Sequence, residues 1–341
     1  MDEHDHRHAP GRGRRVLPGC PKEMVYGPCG GVTVSGGCEV DDRRCPFVDL
    51  ASPITWQAGP AGAVRDVVSA RREVWVDLRP DPSMEWETRE AVEVLAAAGA
   101  GVLIGEHLDD PTPHRPSEVA RAVGTSVPVI ATITCRGRTD AALDTQIDAL
   151  VALGVHAVHC VTGDHPAARL GLDLWPTFSR DGTELAARAA GRGARVSVAE
   201  SPASPPIGFR APRLLSKQDA GADMAVLNHA GSTDDLVGFA DQCRSLGVTL
   251  DLIAPVPVIT DRRSAASLER FPGLTLPPGL IECILGADDP VSAGIAAATR
   301  MGSDLLDSGR FQGVNLSGSA ADTGIVGRAQ LMAAVARELA S

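Results

Sequence analysis

Residues 127–166 read VPVIATITCRGRTDAALDTQIDALVALGVHAVHCVTGDHP, and this stretch has the pattern of one complete βαβ unit. Its first and last segments, Val127–Thr134 and Val155–Val161, are apolar and β-branched, as buried parallel strands are. Between them, Asp140–Leu153 carries apolar residues at helical spacing, and Gly154 follows as a helix-ending residue. The stretch therefore predicts a parallel α/β fold whose ligand-binding residues follow its strands.

The same alternation of strand and helix continues through most of the chain. Six further runs have the length and composition of buried strands: Val74–Leu78, Gly101–Gly105, Ala194–Glu200, Met224–Asn228, Thr249–Pro255 and Gly313–Leu316. Helical patterns lie between them, among them Thr88–Ala98, Asp234–Leu246, Val291–Asp307 and Ile325–Ala340. Eight β/α units favour a (β/α)8 TIM barrel over an open sheet, and we place this barrel at residues 74–341.

Composition excludes several classes of function. The net charge of −11 and the aromatic content of 3% do not favour binding to nucleic acid or to an anionic membrane. No apolar run approaches the roughly 20 residues that cross a bilayer, and the charged first 15 residues lack the apolar core of a signal peptide. We therefore expect a cytoplasmic protein that acts on a small molecule, and we expect a homo-oligomer.

The region before the barrel divides into three parts. Residues 1–15 are polar and are expected to be a disordered tail, residues 16–50 form a cysteine-rich module, and residues 51–73 form a connector. The module contains Cys20, Cys29, Cys38 and Cys45, separated largely by glycine, proline and polar residues. Such a segment cannot bury a core of its own, so these four thiols are expected to bind a metal.

The identity of that metal stays open between two candidates. Four thiolates suit a tetrahedral zinc ion or a [4Fe–4S] cluster, and the absence of a C-x-x-C pair leaves the sequence without a deciding feature. We favour zinc, with the cluster as the alternative. The remaining cysteines are expected to be small buried apolar residues: Cys135, Cys160, Cys243 and Cys283.

A series of short motifs makes the chain resemble the methylenetetrahydrofolate reductase family over about residues 74–339. In chain order they are Ile133-Thr134-Cys135-Arg136, Leu153-Gly154-Val155, Thr162-Gly163-Asp164, Asp219-Ala220-Gly221-Ala222-Asp223, Pro255-Val256-Pro257-Val258, Asp289-Pro290-Val291 and Gly313-Val314-Asn315-Leu316. The cysteine module, with its Gly27-Pro28-Cys29-Gly30-Gly31 core, resembles the cysteine-rich domain that accompanies some of these reductases. In some of those systems the domain belongs to an iron–sulfur partner that supplies electrons.

The resemblance implies reduction of 5,10-methylenetetrahydrofolate to 5-methyltetrahydrofolate in a (β/α)8 barrel. It places the proton donor at Asp77, and Glu106, after the next strand, is a further acid at the barrel mouth. It places the pterin-binding carboxylate at Asp164. Asn228 and Thr134, at the ends of two other strands, are further candidate substrate contacts.

The positions that correspond to cofactor contacts depart from the family pattern. Thr132 and Thr162 stand where a histidine and an arginine are usual at the FAD site, and residues 228–231 (NHAG) replace a glutamine followed by aromatic residues. We therefore expect weak FAD binding or none. Ser317 and Ser319 follow the last strand, where barrel loops often hold a phosphate.

The source of electrons consequently stays open between NAD(P)H and an electron-donor protein. Two alternatives to the reductase also remain. One is a divergent homologue that binds methylenetetrahydrofolate and transfers its one-carbon unit to another acceptor without reduction. The other is a non-catalytic partner for electron transfer or assembly.

Overall fold

Eight parallel strands close into a barrel in the order in which they occur along the chain. A computed structural model describes residues 14–56, 72–110, 112–270, 273–318 and 324–340. The predicted (β/α)8 barrel is confirmed, and each predicted strand is present with ends shifted by no more than two residues. The strands are β1 Glu73–Leu78, β2 Gly101–Ile104, β3 Val129–Thr134, β4 Ala157–Val161, β5 Val196–Glu200, β6 Met224–Leu227, β7 Asp251–Pro257 and β8 Gly313–Ser317.

Helices surround this barrel, and the five longest of those described lie at the predicted places. They are α1 Glu85–Ala97, α2 Pro116–Val123, α3 Asp140–Ala152, α4 Pro166–Leu170, α5 Gly182–Gly191, α6 Arg210–Asp219, α7 Thr233–Ser245, α8 Arg262–Glu269, α9 Leu280–Leu285, α10 Pro290–Asp307 and α11 Gly324–Ala340. Local sequence sets their limits. In α3, the Thr139 hydroxyl accepts a hydrogen bond from the backbone N–H of Ala142, and Gly154 turns the chain out of the helix with φ +71°.

Alternation along the strands separates two layers of the core. In β1, Val74, Val76 and Leu78 face the helices, whereas Trp75 points into the barrel. Trp75 packs there in a cluster with buried residues from five other strands: Leu103, Ile130, Ala157, Met224, Val226 and Ile253. The barrel interior is thus filled with side chains below its carboxyl end, as in other (β/α)8 barrels.

The cysteine module lies against the loops that follow β4 and β5. Asp181, the N-cap of α5, accepts hydrogen bonds on Oδ2 from the backbone N–H groups of Val25 and Tyr26 at 3.0 and 2.8 Å. Arg14, in the predicted tail, forms an ion pair of 2.8 Å with Glu184. The rest of that tail, residues 1–13, and residues 57–71 of the predicted connector lie outside the described residues.

A second attachment of the module centres on the buried guanidinium of Arg210. It donates to the backbone carbonyls of Pro28 and Cys29 in the module, at 3.3 and 3.1 Å. It also donates to the carbonyls of Ser204 and Pro205 in the loop after β5, at 2.5 and 2.7 Å. One cation therefore joins the two parts of the chain through four backbone groups.

The charge of Arg210 belongs to a larger buried cluster around Glu200. The Glu200 carboxylate accepts from Arg210 at 3.3 Å and from both Arg213 and Lys217 at 2.8 Å. Burial opposes ionisation of Glu200, but Arg213, Lys217 and Arg210 together hold its pKa well below its ordinary value. Burial and the neighbouring Arg213 lower the pKa of Lys217 to about 8.

Three of the four cysteines outside the module are buried, as expected from the sequence. Cys135, Cys160 and Cys243 are buried. Cys283 is exposed, so the expectation for it is wrong. It lies on the short helix α9, which buries Ile284, and it faces a groove shared with α10. No helix in the described part of the chain is both long and apolar enough to span a membrane.

Replacement of Arg210 by methionine is expected to destabilise the protein by about 3 kcal/mol or more, because it leaves buried backbone carbonyls without donors and unbalances a buried ion cluster. Denaturant unfolding of Arg210→Met and of the parent protein measures this. Arg310→Met is the matched control, because Arg310 pairs with Asp241 on the surface, and it should change stability little. Equal losses in the two variants would contradict the assignment of Arg210 as the attachment.

Candidate functional site

A cavity of about 390 Å³ opens at the carboxyl ends of the strands. Four of the predicted site residues line it: Asp77 on β1, Asp164 after β4, Asn228 after β6 and Ser317 on β8. Its volume lies in the range of small-molecule sites, and its position is where (β/α)8 barrels bind their ligands. The four residues, which were selected because they follow or end strands, therefore line the same cavity.

Asp164 is presented to the cavity by a sharp turn. Gly163 before it has φ +96°, and a Cβ there would lie 2.7 Å from Cβ of Thr134, so the turn requires glycine. The Asp164 carboxylate pairs with Arg169 at 3.0 Å and remains 42% exposed. Its oxygens are thus oriented at the opening and are available to a ligand.

Asn228 is held from behind by the loop after β5. Its Nδ2 donates to Oγ of Ser201 at 2.7 Å, and its backbone N–H donates to the carbonyl of Glu200 at 2.8 Å. Gly30 of the cysteine module abuts the same serine: a Cβ on Gly30 would overlap Ser201 Oγ and would lie 3.7 Å from Asn228 Nδ2. The module therefore forms part of the wall that supports Asn228, which leaves the Oδ1 of Asn228 for a ligand.

Glu106 and Thr134 are placed differently, in a polar cluster beside the cavity. The Glu106 carboxylate accepts from Arg138 at 2.7 Å and from the backbone N–H of Thr134 at 3.0 Å, and it lies 3.6 Å from Arg136. Arg138 also donates to the Thr134 hydroxyl at 3.1 Å. Neither Glu106 nor Thr134 is among the cavity-lining residues. The contacts of Glu106 and Thr134 therefore hold the loop that follows β3 in place.

Thr132 and Thr162 also lie away from the cavity lining. Thr132 is a buried residue opposite His159 in the β3–β4 register. The Thr162 hydroxyl accepts from the backbone N–H of Gly182 at 2.9 Å and contacts Sδ of Met24 at 3.3 Å. These side chains do not fit a flavin bound in the cavity. Ser319 lies outside the described residues.

Several cavity residues were missed by the strand-end reasoning. The Nδ1 of His159, on β4, shares a hydrogen bond with Oγ of Ser197 at 2.8 Å. The Nε2 of His229 shares one with Oγ of Ser317 at 2.7 Å. Burial lowers the pKa of each imidazole to about 4, with Lys217 adding to the effect at His159, so both are neutral. For His159, counting alternate residues back from the end of β4 would have shown that it points inward.

Two further residues complete the cavity on its β8 side. Asn315 is an inward-facing polar residue in the middle of β8, and Arg328 reaches the cavity from α11. Arg328 donates through Nη2 to the backbone carbonyl of Asp77 at 2.6 Å. The sequence signal for Arg328 is weak, because it is one arginine among the apolar residues of a surface helix.

The four module cysteines converge on one small cavity of their own. Cys20, Cys29, Cys38 and Cys45 all line it. Burial raises the pKa of the Cys20 thiol, and the nearby Cys29 contributes to the same shift, so that the pKa is about 12. Within the described ranges, however, no group of three or more histidine, cysteine, aspartate or glutamate side chains stands in an arrangement that would hold a metal ion. The four thiols thus line one cavity but do not have the geometry of a metal site.

Two family models match parts of this chain. The model of a family described as methylenetetrahydrofolate reductase matches residues 114–325, which is more than half of the chain. A second model, described as methylene-tetrahydrofolate reductase C terminal, matches residues 16–61 and thus includes all four module cysteines.

Among solved structures, the fold resembles a protein from Clostridium thermocellum. That protein is described as uncharacterized and as binding two copies of 5-methyl-5,6,7,8-tetrahydrofolic acid, and it aligns at 12% identity over 77% of this chain and 94% of its own with a TM-score of 0.52. Oxaloacetate acetylhydrolase aligns at 11% identity over 61% and 75% of the two chains with a TM-score of 0.41. At these identities the first likeness shows the fold alone, and the second is too low to support any argument.

The two cavity histidines should make stability depend on pH. Their pKa of about 4 lies below the value of about 6.5 in an unfolded chain, so stability is lost as pH falls from 6.5 towards 4. The expected loss at pH 5 is about 2 kcal/mol for each histidine. Urea unfolding at pH 7 and pH 5 measures it. In His229→Gln the difference in the free energy of unfolding between pH 7 and pH 5 should be smaller by the contribution of one histidine. If this difference is the same as in the parent protein, His229 is not buried in its neutral form.

Proposed function

Because the chain belongs to the methylenetetrahydrofolate reductase family, we propose that its cavity binds a reduced folate and acts on the one-carbon unit that the folate carries. The observation that supports this most directly is the convergence of Asp164 and Asn228 on one ligand-sized cavity at the barrel mouth. A fold likeness to a protein described as binding 5-methyl-5,6,7,8-tetrahydrofolic acid agrees with it.

In this proposal Asp164 anchors the pterin ring. A pterin presents adjacent N–H donors, and a carboxylate accepts such a pair in a bidentate, charge-assisted contact. The half-exposed carboxylate of Asp164 is free to make that contact once Arg169 shifts or shares it. Asn228, fixed through Nδ2 by Ser201, would offer its Oδ1 to a further N–H of the ring.

Asp77 is the better of the two candidate proton donors. It lines the cavity from β1, whereas the Glu106 carboxylate accepts from Arg138 and from a backbone N–H beside it. A proton delivered by Asp77 would open the imidazolidine ring of methylenetetrahydrofolate to the iminium form. Hydride addition to the iminium carbon would then give the 5-methyl product.

A second candidate function is transfer of the one-carbon unit without reduction. The contacts of Thr162 support it, because this hydroxyl is occupied by Gly182 and Met24 rather than presented to a cofactor. Ring opening by Asp77 would be common to both reactions. The two differ in whether the iminium carbon receives hydride from NAD(P)H or a donor protein, or is attacked by another acceptor.

We also propose that the module thiols bind a metal, zinc in the first instance and a [4Fe–4S] cluster as the alternative. The supporting observation is that all four cysteines line one cavity. Cys20, Cys29, Cys38 and Cys45 would be the ligands, and metal binding would add folding energy to a module with a small core.

Loss of the Asp164 carboxylate should weaken folate binding. Asp164→Ala is expected to raise the Kd for 5-methyltetrahydrofolate by about 10- to 150-fold, because a charge-assisted hydrogen bond contributes about 1.5–3 kcal/mol. Asp164→Asn should raise the Kd by less. Calorimetric titration measures both. Asp148→Ala, on the outer helix α3, is the control. If the parent protein binds neither methyl- nor methylenetetrahydrofolate below millimolar concentration, the folate proposal fails.

Elemental analysis of anaerobically purified protein should find about one zinc or about four irons per chain. Cys29→Ser and Cys38→Ser should each lose this metal and loosen the module, because ligand loss removes folding energy. Cys283→Ser is the matched control, since that thiol is exposed and lies outside the module. Metal content that is the same in all three variants would disprove a site at the module cysteines.

A further inference from the structure

Three residues that line the barrel cavity each carry a buried polar atom without a hydrogen-bond partner. Among the described residues these atoms are Nδ1 of His229, Oδ1 of Asn315 and Nε of Arg328. Buried polar groups in folded proteins nearly always have a partner, and each exception needs an explanation. Three exceptions on the walls of one ligand-sized cavity indicate that a bound ligand supplies the missing partners.

Arg328 gives this side of the cavity its charge. Two other arginines near the opening form ion pairs: Arg79 pairs with Asp109 at 3.0 Å and with Asp110 at 2.5 Å, and Arg169 pairs with Asp164 at 3.0 Å. Arg328 instead contacts the backbone carbonyl of Asp77, and within the described ranges it forms no ion pair. Burial lowers the pKa of Arg328, and the nearby Arg79 lowers it further against the opposing effect of Asp77. An anion placed here would relieve an unneutralised buried cation.

The neutral residues beside Arg328 complement an oxyanion-bearing group. His229 is held by Ser317 through Nε2, which leaves its Nδ1 without a partner, as a donor or an acceptor according to the tautomer. The Oδ1 of Asn315 requires an N–H donor. A ligand segment that contains both an amide N–H and an oxyanion, such as an acyl glutamate, would satisfy Asn315 and Arg328 together.

The opposite wall has the opposite character. Asp164 follows β4, which is four strands away from β8 in the closed order of the barrel. A ligand that spans the cavity therefore meets a carboxylate at one end and a guanidinium at the other. This polarity suits a molecule with a hydrogen-bond-donating heterocycle at one end and an anion at the other.

We propose that Arg328 and the Nδ1 of His229 form an oxyanion subsite on the β8 side of the cavity that fixes the anionic end of the ligand, and that the Oδ1 of Asn315 accepts from an N–H group beside that oxyanion. The inference rests on the proposed function for its ligand. Two sources supply an oxyanion: the glutamate carboxylate of a folate, which has an amide N–H beside it, and the phosphate of a nicotinamide dinucleotide. The subsite determines the orientation of the ligand in the cavity, because it binds the anionic end while Asp164 binds the opposite, pterin end.

The test compares three probes on four proteins by calorimetry. The probes are 5-methyltetrahydrofolate, 6-methyltetrahydropterin, which lacks the benzoyl-glutamate tail, and NADPH. The proteins are the parent, Arg328→Gln, Arg328→Lys and Arg310→Met. Arg328→Lys retains a cation, and Arg310→Met removes an arginine that pairs with Asp241 on the surface.

If the subsite holds the glutamate carboxylate, Arg328→Gln should weaken methyltetrahydrofolate binding by about 10- to 100-fold, leave the tail-less pterin unchanged and leave NADPH unchanged. Arg328→Lys should recover part of the affinity, and Arg310→Met should match the parent. If the subsite holds phosphate, Arg328→Gln should weaken NADPH alone. The ratio of folate to tail-less pterin affinity is the deciding quantity, because general loss of stability would not change it.

Equal binding of all probes by the parent and by Arg328→Gln overturns the subsite while the folate proposal stands. Equal weakening of the folate and the tail-less pterin also overturns it, because the effect then comes from the pterin end. A parent protein that binds neither folate nor NADPH contradicts both the subsite and the proposed function. A parent that binds only NADPH, weakened in Arg328→Gln, supports the subsite and refutes the folate assignment.

Discussion

The buried carboxylate of Glu200 connects the cysteine module to the barrel mouth. Three cations surround it, and burial of so many charges is favourable only when every group is paired. Arg210 completes its hydrogen bonding with carbonyl groups of the module, so docking of the module satisfies part of the cluster. The backbone N–H of Ser201 donates to Glu200 at 3.1 Å, and the carbonyl of Glu200 receives the N–H of Asn228. The position of a candidate ligand contact is therefore determined by the same interaction that attaches the module.

The strands and the five longest of the described helices could be predicted from the sequence because each is encoded locally. A parallel strand buried on both faces needs a continuous apolar run, and such a run is visible at Val129–Thr134 without knowledge of its neighbours. The docking of the module could not be predicted in this way. Its attachments join residues far apart in the chain, as when Asp181 receives the N–H groups of Val25 and Tyr26, and no local pattern encodes such a pair.

The candidate site shows the same division between local and distant causes. The family resemblance pointed to Asp77 and Asp164, and both line the cavity because the carboxyl ends of barrel strands converge on one opening. Strand position ranked Glu106 with them, since Glu106 also follows a strand. The difference arises from Arg136 and Arg138, which belong to the next β/α loop and draw the Glu106 carboxylate aside. Sequence position alone gives the end of the barrel on which an acid lies, but its partners decide whether it faces a ligand.

Unsatisfied polar atoms in the cavity carry an energetic cost that the rest of the fold must offset. A buried donor or acceptor without a partner costs about 1–3 kcal/mol, and a folded domain of this kind is stable by only about 5–15 kcal/mol. The apolar layer around Trp75 lies below the cavity, and the ion-paired Glu200 cluster lies beside it, so packed structure surrounds these atoms. His229, Asn315 and Arg328 are thereby held in place before any ligand arrives. Such preorganisation reduces the entropy that binding must overcome, which is a physical reason for a protein to keep polar groups unpartnered in its cavity.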